Sequence, residues 1–114
     1  MNISFTGIGE VYATFACTED IVKSGVPVML SGSGAVSPCT NGGTLCGFAG
    51  PSRGGLCRVQ VSGFAEVSYS GTAPEVGFSP LVGNGTGGVM VSEKGRSCMV
   101  VSVDRLHKTA VVML

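Results

Sequence analysis

Charge is the scarcest thing in this chain. Asp, Glu, Lys and Arg make up 12% of its 114 residues, about half the usual share of roughly 25%. The seven basic and seven acidic residues cancel. No basic stripe or acidic run exists to attract nucleic acid or a membrane surface, so neither is expected as a partner. Aromatics are equally thin, with no Trp and two Tyr, Tyr12 and Tyr69. That counts against a glycan site, which normally offers aromatic platforms. No apolar run approaches the roughly 20 residues of a membrane-spanning helix. Met1-Asn2-Ile3-Ser4-Phe5 has no basic stretch ahead of an apolar one, so no secretory signal is read and synthesis in the cytoplasm is expected. Asn2-Ile3-Ser4 and Asn84-Gly85-Thr86 fit the glycosylation pattern only by composition.

Recognisable chemistry is missing as well. The chain has a single histidine, His107, inside Asp104-Arg105-Leu106-His107-Lys108, a polar stretch that reads as a solvated loop. Nothing in the sequence places a cysteine beside it, as a Cys-His nucleophilic pair would need. No Gly-x-Ser-x-Gly elbow or phosphate-binding loop occurs. Gly83 to Gly88 formally fits the dinucleotide-binding glycine pattern, but the strand-like Val89-Met90-Val91-Ser92 follows where a helix is required, so a hairpin turn is read. Glu10 and Glu66 could form a carboxylate pair only if the fold brought them together. Arg58 and Glu66 read as outward-facing, either as a solvated pair or as a contact between subunits. No catalytic, cofactor-binding or metal-binding residue is assigned, and the protein is not read as an enzyme.

Five cysteines is an odd number. Six residues separate Cys39 from Cys46 and ten separate Cys46 from Cys57, which matches no common zinc spacing. Cys46, Cys57 and Cys98 lie in apolar runs, where a free thiol behaves as a small hydrophobe. All five, Cys17 included, are expected as reduced thiols.

What the chain has is glycine, 19 residues of it, and valine, spread in a pattern written twice. Gly25-Val26-Pro27-Val28-Met29-Leu30, Gly32-Ser33-Gly34-Ala35-Val36 and Arg58-Val59-Gln60-Val61 are matched by Gly77-Phe78-Ser79-Pro80-Leu81-Val82, Gly85-Thr86-Gly87-Gly88-Val89 and Val111-Val112-Met113-Leu114. Gly83 is taken as the one extra residue. The lead-ins Gly7-Ile8-Gly9-Glu10-Val11 and Gly63-Phe64-Ala65-Glu66-Val67 also match. A module of about fifty residues is too short for a good core of its own, so two copies, about 7–61 and 63–114, are expected to close one small barrel around a shared interior.

Strands are expected at Glu10–Cys17, Val26–Ser31, Ala35–Pro38, Thr44–Ala49, Leu56–Tyr69, Gly88–Ser92, Cys98–Val103 and Thr109–Leu114. Leu56–Tyr69 alternates apolar and polar residues, and its length makes Gly63 a bulge or a bend between two strands. Glu19 to Ser24 could be one helical turn or a polar loop. The fold class is therefore all-β, a small single-domain barrel or sandwich of short strands with an internal duplication.

The order of these elements is familiar. Gly25-Val26-Pro27-Val28, Val59-Gln60-Val61-Ser62-Gly63, Gly71-Thr72-Ala73-Pro74-Glu75-Val76-Gly77 leading into Leu81-Val82, Gly87-Gly88-Val89 and the terminal Val111-Val112-Met113-Leu114 resemble the small decoration, or capsid cement, proteins of tailed bacteriophages and prophages. The resemblance spans residues 25 to 114. It departs at Cys39, Cys46, Cys57 and Cys98, and at Gly77-Phe78-Ser79, where the family tends to carry a charged or aromatic residue after Gly-Asp. It implies a non-catalytic β-barrel, commonly a homotrimer, that binds the major capsid protein in the assembled shell and ends on the virion surface. The low charge agrees, because a protein so poor in surface charge either has part of its surface covered by a partner or is soluble enough as a small neutral barrel. Val111-Val112-Met113-Leu114 would be a sticky edge if uncovered, and burial between subunits would remove that hazard. The alternative is a small-molecule or glycan-binding β-barrel module.

Overall fold

The computed structural model describes residues 10–114, all strand, turn and loop. The lead-in residues Gly7, Ile8 and Gly9 lie outside the described residues. Eleven strands follow in order: β1 (Val11–Cys17), β2 (Val26–Gly32), β3 (Ala35–Pro38), β4 (Asn41–Thr44), β5 (Gly47–Ala49), β6 (Leu56–Ser62), β7 (Phe64–Ser68), β8 (Gly77–Asn84), β9 (Val89–Val91), β10 (Arg96–Asp104) and β11 (Thr109–Met113). The Glu19–Ser24 stretch is bends and turn, with no helical turn.

The first half closes on itself. Its sheet runs β1-β3-β2-β5-β6 and returns to β1, with β1 and β3 parallel and the other pairs antiparallel. The second half repeats that order. β7 pairs β11, β11 pairs β10, β10 pairs β8 and β8 pairs β9, all antiparallel. A parallel bridge from Tyr69 to Val89 then brings β9 back beside the end of β7. The substitution β1 for β7, β2 for β8, β3 for β9, β5 for β10 and β6 for β11 maps one half onto the other.

The buried side chains follow the same rule. Val28, Val36, Ala49, Cys57 and Val59 fill the first barrel, and Leu81, Val89, Cys98, Ala110 and Val112 hold the corresponding places in the second. Apolar side chains thus collect in two interiors rather than one shared interior. The physical reason is small size: the valines, alanines, cysteines and leucines that face inward already fill each interior.

Structural equivalence also corrects two details of the repeat. Thr18 N–H donates to the Val36 carbonyl at 3.0 Å, as Ser70 N–H does to Val89. Val59 faces Ala13 as Val112 faces Ala65. Ala13 is therefore level with Ala65, and Glu10 is not the counterpart of Glu66. Val28 pairs Pro38 as Leu81 pairs Val91, so Pro27 is level with Pro80. The extra residue of the second copy falls between Ser70 and Pro80, not at Gly83.

Gly83 does something else. β4 leaves the first half and adds to β8, pairing Asn41 with Asn84 and Thr44 with Val82. A Cβ at Gly83 would collide with the Cys39 side chain, so only glycine lets the first half's chain cross β8 so closely. Leu45 and Phe48 then enter the second interior.

The expected break at Gly63 is real. Its φ is 96°, open to glycine at no steric cost. Gln60, only 6% exposed, holds the corner by donating Nε2 to the carbonyls of Ser62 at 3.1 Å and Phe64 at 2.9 Å. The terminal run does not form an edge: β11 lies between β10 and β7, which disposes of the aggregation hazard inside one chain.

Candidate functional site: exposed surfaces of the two barrels

Cys39, Cys57 and Cys98 are buried, Cys17 and Cys46 half-buried, and all five are free thiols. Burial pushes the Cys39 thiol up to about 11, with a smaller contribution from Cys46 nearby. Burial likewise raises Cys57 and Cys98. A thiol held protonated is a poor nucleophile and a poor metal ligand. Among the described residues no three metal-ligating side chains converge.

His107 sits in the exposed turn between β10 and β11. Asp104 Oδ1 accepts the N–H groups of Leu106 and His107 at 3.0 and 3.2 Å, and Oδ2 lies 2.8 Å from His107 Nδ1. The His107 hydrogen bond is the main reason the Asp104 carboxyl falls below its usual range. The arrangement shapes a solvated turn, with Lys108 at a φ of 53°. The Gly83–Gly88 segment is a hairpin between β8 and β9. Asn84 Oδ1 accepts from Thr86 N, Thr86 Oγ1 and Gly88 N at 2.8, 2.9 and 3.1 Å, which ties off the turn.

Glu10 and Glu66 do meet at one feature. Both line a cleft of about 270 Å³, together with Tyr12, Phe48, Gln60 and Phe64. The Tyr12 hydroxyl donates to Glu10 Oε2 at 2.8 Å, and that bond is the chief reason its phenol is raised. Arg58 and Glu66 part company at the Gly63 corner. Arg58 lies on the outer wall of the first barrel, its guanidinium carbon 4.3 Å from the Tyr12 ring centre. Glu66 lies on β7 opposite Val111.

Two further surfaces were not singled out by the sequence. The first is an apolar row on the outside of the second barrel. Phe78 pairs Met99, Met99 pairs Met113 and Met113 pairs Phe64, so one rung crosses β8, β10, β11 and β7 on a single face. Phe78 is 73% exposed. The signal that could have found this row is the alternation of β10, where Cys98 and Val100 point inward and Met99 does not. The second is a groove of about 490 Å³ on the first barrel, with Arg53, Arg58, Leu56 and Pro51 among its lining residues. The loop residues Pro51, Ser52 and Arg53 supply part of that wall, which hides it from any strand periodicity.

No family model and no curated protein matches the chain. No helix among the described residues is long and apolar enough to cross a membrane.

Proposed function

We propose that this protein is a non-catalytic structural component of a phage or prophage virion, a homotrimer that decorates the assembled capsid and stabilises it. The observation that carries the reading is the row Phe64–Met113–Met99–Phe78. Large apolar side chains aligned across a sheet face are costly in water and mark surfaces made for contact. The five free thiols, three of them buried with raised pKa, suit a protein whose work is contact. Binding only the assembled shell would stabilise that state by mass action, with no covalent step.

The test is retention on expanded shells of the cognate phage. Co-sedimentation is expected with the wild type and is expected to be lost on Phe78→Asp, whose exposed position leaves the fold intact. A wild type that stays in the supernatant with expanded shells overturns the decoration reading.

A binding module is favoured by one feature only, the cleft where Glu10, Tyr12 and Gln60 offer polar groups beside Phe48 and Phe64.

A further inference from the structure

The groove on the first barrel brings two arginines together. Its two guanidiniums, Arg53 and Arg58, are exposed and share one concave surface with Leu56, itself 51% exposed, and Pro51. Among the described residues neither guanidinium forms an ion pair with a carboxylate. Arg58 is already held in place by stacking on Tyr12. A guanidinium bound through its face keeps the N–H groups of its edge free for a two-pronged bond to a carboxylate.

The matching feature stands on the other barrel. The acids can be taken in turn. Asp104 is engaged by His107, and Glu10 accepts from Tyr12. Glu66 lines the cleft between the halves. Glu19 and Asp20 belong to the loop that packs on Ser52, beside the groove itself. Glu93 lies in a turn next to Lys94. Glu75 differs from these. It is exposed in the β7–β8 loop, and its apolar neighbours Val76 and Phe78 are 70% and 73% exposed. The loop is also rigid in form, with Pro74 buried and the Ser79 hydroxyl donating to the Glu75 carbonyl at 3.1 Å.

We propose that the chain associates head to tail, the Arg53–Arg58 groove of one copy receiving the Pro74–Val76 segment of the next, with Glu75 bound by the guanidiniums and Val76 covered by Leu56 and Pro51. Charge and apolar surface are complementary on both sides. The two faces differ, so the contact is heterologous: it builds a ring where the rotation closes, and a trimer is one such ring. The inference rests on the self-association half of the proposed function and does not involve the shell.

The experiment is charge exchange read by light scattering on the free protein. Arg58→Glu and Glu75→Arg are each expected to drop the mass to that of one chain, 11.5 kDa. The double variant Arg58→Glu/Glu75→Arg is expected to regain the oligomer, which a merely damaged fold would not do. Far-ultraviolet circular dichroism of each variant should match the wild type. An oligomer that neither single variant disturbs, or a double variant that stays monomeric, overturns this contact and leaves the trimer standing. A wild type that is itself monomeric at working concentration overturns both.

Discussion

At the scale of single residues, burial and close approach decide most of what is seen. Cys39 is 8% exposed and packs flush against Gly83, so its thiol meets apolar surroundings that disfavour the thiolate. An unfolded thiol ionises near its ordinary 9.0, whereas folding holds Cys39 to about 11. The folded chain therefore binds the extra proton between those values. Its contribution to stability is complete below pH 9 and is lost as pH rises from about 9 to 11. The urea midpoint of the wild type is expected to fall between pH 8 and pH 10. Cys39→Ala, less stable at pH 8 through the small cavity it leaves, is expected to fall less over the same interval. Equal pH dependence in the two would show that Cys39 is not the group responsible. The sequence made Cys57 and Cys98 legible as buried hydrophobes because they stood in apolar runs; Cys46, read the same way, is half-buried, and the buried Cys39 gave no such signal. It could not show Gln60 as a buried clamp, because a Gln on an alternating strand looks like any solvent-facing polar residue until the chain turns over it at Gly63.

At the scale of elements, periodicity located most strands, but two strands were hidden. β8 contains Pro80 and runs through Gly83, and both read as breaks. Pro80 is tolerated because the strand can forgo one amide donor where it pairs Ser97. β4 begins with Asn41-Gly42-Gly43, residues that spell a turn, and it becomes a strand only because β8 is there to pair with it. That is tertiary context overriding local preference. The cleft was legible only as two lone carboxylates, and the apolar row and the arginine groove depend on strand pairings and loops that no single strand records. The repeat itself makes an element-level prediction. Val59 and Val112 are both fully buried and hold equivalent places in β6 and β11. Val59→Ala and Val112→Ala each delete two methyl groups, worth about 0.8 kcal/mol per buried CH₂-sized group plus a cavity term, so each should cost roughly 2 kcal/mol. Denaturant unfolding of the two variants should give losses within about 1 kcal/mol of each other. A large loss in one and none in the other would mean that the two interiors are not equivalent in energy, whatever their topology.

At the scale of the whole molecule, one closed ring of strands and one curled six-stranded sheet do not amount to two independent units. The described chain is elongated, 40 × 28 × 21 Å, as two small barrels side by side would be. Yet the partition is unequal. β4, Leu45 and Phe48 belong to the first half by sequence and to the second barrel by pairing and packing, and Leu45 and Phe48 are 2% and 3% exposed. A second half of about fifty residues has little stability to spare, on the order of 3–8 kcal/mol at the usual 0.05–0.15 kcal/mol per residue. Losing a buried Leu and a buried Phe removes about 5 kcal/mol or more, and losing β4 also uncovers part of β8. Residues 63–114 made alone are therefore expected to be unfolded, with collapsed amide dispersion in a proton–nitrogen spectrum and no cooperative thermal transition. The intact chain is expected to unfold in one transition, because loosening the first barrel withdraws Leu45 and Phe48 from the second. A dispersed, native-like spectrum from the isolated second half would show that the crossing at Gly83 decorates a self-sufficient barrel instead of completing it.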